Sequence, residues 1–410
     1  MPGFASQGND MKSASAISFA AALALGSSLS AAWAQAPIKI GDINSYSAQA
    51  LVTEPYRKGA LLAAEELNTA GGVLGRKIEI VFRDDAMKPG DALKQAEELV
   101  ANEKVAVLAG GFSSSVCLAI ADFVVQKKIP YVCSISGSDA IVWEKGNAFT
   151  FRTNTSTYML SDMLADEAAK LPAKRWATIA PNYEFGTSFV AAFKERLKAR
   201  RPDVEWVAEQ WPAIGKLDPG PTIDALNAAK PEAIFNATFG TDLIRFVREG
   251  NTRDFFKGRS VASGLTGNPE FLDPLKEETP EGWIVTGYAW DSYDTPEHKK
   301  FRTAYEAKYK DYPRWYSLIG YVTYKAIAAG IAKAGSTDGE AIRKALEGLS
   351  VATPLGPVKF RAADHQANIP SFVGKTTKRD GKGAFVDWRF VPGDAMLPSE
   401  AEAAKLRPTN

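Results

Sequence analysis

Histidine and cysteine are the scarcest chemistry in this 410-residue chain, which has only two of each: His298 and His365, Cys117 and Cys133. With no paired ligand spacing among them, a structural zinc site is not expected. The two histidines read as lying in charged, loop-like segments, which leaves little for imidazole acid–base catalysis. The chain also lacks a G-x-S-x-G elbow and a Walker A loop, so the common hydrolase and nucleotide-binding signatures are missing. Gly71-Gly72-Val73-Leu74-Gly75 precedes a strand instead of opening a helix, and reads as a turn rather than a dinucleotide cradle. Nor is there an excess of charge: 49 Lys+Arg stand against 48 Asp+Glu, a net +1 that recruits neither nucleic acid nor an anionic membrane. No motif implies a cofactor, a metal or an enzyme. After residue 34, no apolar run approaches the ~20 residues needed to span a bilayer.

What is present begins with the first 34 residues. Lys12 precedes an apolar, charge-free run from Ala14 to Leu29, which ends at Ala32-Trp33-Ala34. A charged start, an apolar middle and a small-x-small site form a cleavable secretory signal, so the mature chain is expected to begin near Gln35 and to work in the periplasm. No Cys stands at the cleavage point, which argues against a lipid anchor. Apolar residues at 45% and charged residues at 24% suit a soluble globular protein. The mature length exceeds one ordinary domain and suits two lobes of roughly 150–200 residues each. An oxidising compartment permits a Cys117–Cys133 disulfide; two buried thiols are the alternative, and the spacing does not choose between them.

Strand and helix signals then alternate. Ile38–Ile43 reads as a strand, Pro55–Asn68 as a helix, Lys77–Arg83 as a strand, Ala92–Asn102 as a helix, Val105–Ala109 as a strand, Ser115–Gln126 as a helix and Pro130–Cys133 as a strand. After a crossing strand at Phe149–Arg152 the pattern repeats. Strands are expected at Trp176–Ala180, Val204–Glu209, Ala233–Ala237 and Trp283–Tyr288. Helices are expected at Tyr158–Lys170, Phe185–Ala199, Thr222–Ala229, Thr241–Glu249, Glu297–Tyr309, Ser317–Ala334 and Asp338–Glu347. Val358–Val391 reads as short strands and turns. The pattern is that of an α/β protein with two doubly wound parallel-sheet lobes.

In such sheets ligands bind beyond the carboxyl ends of the strands. Two of those ends are rich in hydroxyls: Gly110-Gly111-Phe112-Ser113-Ser114-Ser115 and Ser134-Ile135-Ser136-Gly137-Ser138. Each precedes a helix start, where free amides and the helix dipole favour a carboxylate. The competing reading is that Ser simply caps the helix and Gly permits the turn. The second lobe offers aromatics at matching ends, namely Tyr183, Phe185, Phe239 and Trp290, as a small-molecule pocket needs.

These segments, with Ile38-Lys39-Ile40-Gly41, Ala70–Arg76, Asp84-Asp85-Ala86, Phe151-Arg152-Thr153 and Phe185-Gly186, resemble the periplasmic leucine/isoleucine/valine-binding proteins over nearly the whole mature chain. The resemblance implies a type I periplasmic binding protein whose two lobes are joined by three crossovers. Lobe one is expected to take residues 37–152 and about 289–360, and lobe two 153–288 and about 361–400. It further implies a small-molecule ligand, an inner-membrane ABC permease as partner, and a monomer. The ligand's carboxylate would meet Ser113 or Ser114, Ser136 and Gly137, with Ser134 in the same loop, and Phe185 would cover it. Tyr183, Phe239, Leu265 and Trp290 complete the expected pocket.

The chain departs from that family in ways that bear on its ligand. Amino-acid binders place an acid against the α-ammonium in the segment matching Ser263-Gly264-Leu265-Thr266-Gly267, and none of these five is acidic. Gly137 stands where a threonine is usual, Phe185 where a tyrosine is, and the family's disulfide lacks its partners. An aromatic acid is therefore favoured over a branched-chain amino acid. The alternative is a ligand-sensing domain of the same fold that acts with a separate receptor.

Overall fold

The computed structural model describes residues 35–408; the expected signal, 1–34, lies outside them. Short apolar segments build a first sheet: β1 (Ile38–Asn44), β2 (Ile78–Asp84), β3 (Val107–Gly110), β4 (Tyr131–Cys133) and β5 (Thr150–Arg152). They run parallel in the order β2-β1-β3-β4-β5. β3, β4 and β5 are buried along their whole length, as a parallel sheet covered on both faces requires. Helices α1 (Ala50–Thr69), α2 (Pro89–Glu98) and α3 (Ser114–Lys127) connect these strands. Two of these helices depart from their expected spans. α1 begins ahead of Pro55, which lies inside it; a proline suits the first turn of a helix and so hides a turn that precedes it. α2 passes into a π turn at Leu99–Glu103.

The chain then builds a second sheet through α4 (Thr157–Ala168), β6 (Arg175–Ile179), α5 (Glu184–Arg200), β7 (Glu205–Gln210), α6 (Pro219–Ala228) and β8 (Ala233–Asn236). It continues with α7 (Gly240–Thr252), β9 (Ser260–Gly267), α8 (Pro269–Leu275) and β10 (Ile284–Gly287). β9 and α8 escape a reading by pattern, since β9 carries two glycines and α8 two prolines.

After β10 the chain returns to the first sheet with α9 (Pro296–Tyr309), α10 (Trp315–Ala334) and α11 (Gly339–Leu346), followed by the hairpin β11 (Ser350–Thr353) and β12 (Gly356–Lys359). α10 lies against α1 backbone to backbone. A Cβ on Gly59 would stand 1.8 Å from the Ser317 carbonyl oxygen, and one on Gly320 2.1 Å from that of Tyr56. Finally β13 (Ser371–Arg379) and β14 (Lys382–Val391) pair antiparallel and join β10, before α12 (Gly393–Met396) and α13 (Glu400–Leu406). The tail expected to form short strands is thus a long hairpin. It makes the second sheet mixed, in the order β14-β13-β10-β9-β8-β6-β7.

The chain passes between the sheets three times, at 153–156, 288–295 and 360–370. Arg152 ties the first and third passages: its Nε donates to Gln366 Oε1, and its Nη1 to the carbonyls of Gly137 and Ser138. Gln366 in turn donates to the Asn154 carbonyl at 2.9 Å, and Trp315 donates to Asn154 Oδ1 at 3.2 Å. Burial lowers the Arg152 guanidinium to about 10, opposed by the carboxylates of Asp139 and Asp364. Both histidines are buried; His365 lies in a loop, as expected, whereas His298 belongs to a helix. His298 lies on α9 against the Tyr288 hydroxyl at 2.7 Å, and His365 stacks on Phe151 with ring centroids 4.1 Å apart. Burial lowers both, to about 4 and about 3 respectively, so both are neutral at physiological pH. No helix among the described residues is long and apolar enough to cross a membrane.

Candidate ligand-binding site

β3 ends at Gly110, and Gly110 and the following Gly111, at φ 105° and 86°, swing the chain into α3. A Cβ on Gly111 would stand 2.3 Å from both the Cys117 sulfur and the Tyr131 hydroxyl, so only glycine fits there. Ser113 is the N-cap of α3, and Ser114 opens its first turn. The loop after β4 is laid alongside by two backbone bonds: the Ser134 amide donates to Gly110 at 2.7 Å, and the Ser136 amide to Gly111 at 3.0 Å. The Ser114 and Ser136 hydroxyls then meet at 2.6 Å. Beneath them Cys117 on α3 and Cys133 at the end of β4 form a disulfide, with Cα atoms 6.2 Å apart.

Facing these loops across the cleft are residues of the second sheet. Tyr183 and Phe185 lie at the start of α5, Phe239 at the start of α7, Leu265 on β9 and Phe271 on α8. Together with Ser136, Gly137, Val52, Phe112, Ile135 and Tyr316 they line one cavity, with about 310 Å³ of atom-free space counted out to its mouth. Phe112 of the first sheet meets Phe239 of the second edge to face at 5.8 Å, and Phe239 meets Phe185 likewise at 5.8 Å. Such pairs fix ring orientation as well as burying area. Leu265 has φ 69°, a left-handed conformation that costs a leucine about 1 kcal/mol. Its amide donates to the Thr286 hydroxyl at 3.0 Å.

The expected site residues divide in two. Ser136, Gly137, Tyr183, Phe185, Phe239 and Leu265 are brought together on the cavity. Ser113, Ser114, Ser134 and Trp290 are not on its wall. Ser114 stands behind Ser136. The Ser134 hydroxyl turns inward, donating to the Val132 carbonyl at 2.9 Å and accepting from the Tyr56 hydroxyl at 3.1 Å. Tyr56, Tyr46 and Tyr324 all donate to buried Asp42, so this serine belongs to a polar network under the loop. Trp290 stacks on Tyr312 at 4.1 Å beneath the Arg302 guanidinium and lines a different cavity, because the chain crosses away after β10. The remaining wall residues lie at element starts, on an undetected helix or within the two serine loops. Val52 sits in the turn of α1 before Pro55, Phe271 on the undetected α8, and Tyr316 in the first turn of α10. Phe112 and Ile135 lie inside the two loops that were recognised for their serines.

No residue on the cavity wall carries a charge. Among the described residues no group of His, Cys, Asp and Glu is placed to hold a metal ion. Two sheets joined by three passages, closing on an uncharged cavity, define a clamp that encloses a small molecule. The chain belongs to the periplasmic binding protein family, whose model matches residues 37–382, and it is a solute-binding protein rather than an enzyme. The resemblance to leucine/isoleucine/valine-binding proteins holds. Leu/Ile/Val-binding protein homolog 7 of Brucella abortus (strain 2308) is 26% identical over 339 residues, covering 78% of this chain and 83% of that protein. Among solved structures, a solute-binding protein of an ABC transporter from Rhodopseudomonas palustris BisB5, in complex with 3,4-dihydroxybenzoic acid, superposes with a TM-score of 0.79 at 24% identity, covering 87% of this chain and 98% of that one. A second R. palustris solute-binding protein, in complex with benzoate, gives a TM-score of 0.76 at 22% identity, covering 88% and 98%.

Proposed function

We propose that this protein is exported by the signal at residues 1–34, captures a small aromatic carboxylic acid in the periplasm, and delivers it as a monomer to an inner-membrane ABC permease. One observation carries the choice of ligand: the cavity wall bears no charge, and Leu265 occupies the segment where an amino-acid binder presents its acid. An α-ammonium enclosed there without a counter-charge costs several kcal/mol, whereas a carboxylate has donors suited to it. Those donors are hydroxyls on the wall, chief among them that of Ser136, braced by Ser114. Phe185, Phe239, Phe112 and Phe271 supply faces for a ring. The two R. palustris structures, which hold benzoic acids in the same fold, support this reading.

The lobes are residues 37–152 with about 289–360, and 153–288 with about 361–400. Ligand bound first on the serine side draws the aromatic side over it, and the closed population rises with the ligand's preference for that state. Thermal-shift and calorimetric titration of the mature protein with benzoate, phenylalanine and leucine test the reading. Benzoate is expected to raise Tm and bind at one site, with no response to leucine. A response to leucine and none to benzoate overturns it.

A further inference from the structure

Buried tyrosines in this protein are satisfied almost everywhere. Tyr56 and Tyr324 donate to Asp42, Tyr288 meets His298, and Tyr305 accepts from Ser317. Two are different. Tyr183, at the N-cap of α5, and Tyr316, in the first turn of α10, both line the ligand cavity, and neither hydroxyl bonds to any described residue. Tyr316 is only 4% exposed, yet its oxygen, like that of Tyr183, is not among the polar atoms sealed inside the protein without a partner. Each hydroxyl therefore keeps accessible surface. The two approach from opposite sides of the cleft, one on the second-sheet side and one on a helix packed against the first. A phenol is both a donor and an acceptor, so a pair of them offers complementary positions to one ligand hydroxyl.

We propose that Tyr183 and Tyr316 form a polar subsite that selects ring-hydroxylated aromatic acids over their unsubstituted and methylated counterparts. This rests on the reading of the cavity as an aromatic-acid site and adds the substituent it prefers. A ring hydroxyl satisfies both tyrosines as the cleft closes. A hydrogen or methyl at the same place leaves two phenols desolvated and unpaired, and sites built to bond a hydroxyl discriminate strongly against ligands lacking it.

The test is calorimetric titration of the mature protein with benzoate, 3-hydroxybenzoate, 4-hydroxybenzoate and 4-methylbenzoate, repeated on Tyr183→Phe and Tyr316→Phe. In the wild type the better hydroxybenzoate is expected to bind at least tenfold more tightly than 4-methylbenzoate. Each variant is expected to bring that ratio toward one, a readout that a uniform loss of affinity leaves alone. Benzoate binding with a wild-type ratio near one overturns the subsite but not the aromatic-acid site. A high ratio that survives in both variants also overturns it. If no benzoic acid binds, both readings fall.

Discussion

The hydroxyl oxygens of Ser114 and Ser136 lie 2.6 Å apart, and this contact joins the first turn of α3 to the loop after β4. Only Ser136 reaches the cavity wall; Ser114 holds it in place. A hydrogen bond to a charged group is worth about 1.5–3 kcal/mol, so Ser136→Ala is expected to weaken benzoate binding about 10- to 100-fold. Ser114→Ala, which removes only the brace, is expected to cost less. Calorimetry on both variants checks the order, and an unchanged Kd in Ser136→Ala removes Ser136 from the site.

Cys117 and Cys133 close a loop of sequence separation 16 directly under those two serine-bearing segments. A cross-link of that span stabilises by about 3 kcal/mol, chiefly by restricting the unfolded chain. The double variant Cys117→Ser/Cys133→Ser is expected to lose stability of that order in urea. It is also expected to bind benzoate more weakly, since α3 and the β4 loop are no longer held together. Equal midpoints and slopes for the two proteins count against the bridge.

Glu270 opens α8 beside Phe271. Its Oε1 accepts from the Tyr316 amide at 2.8 Å, and its Oε2 has no partner. Burial pushes its carboxyl up from 4.5 to about 7, so the folded protein holds the proton more tightly than the unfolded chain does. Its contribution to stability is complete below 4.5 and is lost as pH rises to about 7. The full loss is about 3 kcal/mol. Urea unfolding of the wild type and Glu270→Gln from pH 4 to 8 isolates this from other titrating groups. The wild type is expected to fall behind the variant across that window, and parallel profiles overturn the assignment.

Much of the architecture was legible because burial imposes a pattern. The apolar runs of β3, β4 and β8 and the stripe of α1 identify themselves without any knowledge of their neighbours. The segments that escaped carry residues whose local preference opposes their tertiary role. Pro55 marks a helix start but lies inside α1, the glycines of β9 weaken its strand signal, and the prolines of α8 read as breakers. The site suffered in part, since Val52 and Phe271 come from those segments, although Leu265 of β9 was expected and does line the cavity.

From the sequence alone followed the two-lobed α/β plan, the serine loops at the strand ends, and the missing acid at Ser263–Gly267, all properties of residue type and local order. Which serine faces the ligand was decided only in three dimensions. Ser134 and Ser136 are two positions apart in one loop, yet the first is bound into the Tyr56–Asp42 network and the second turns to the cavity. Trp290, expected in the pocket, likewise lies elsewhere while Tyr316 lines it, because the crossing after β10 and the packing of α10 on α1 set where each aromatic lies. Such choices rest on contacts between residues far apart in the chain, and no local pattern encodes them.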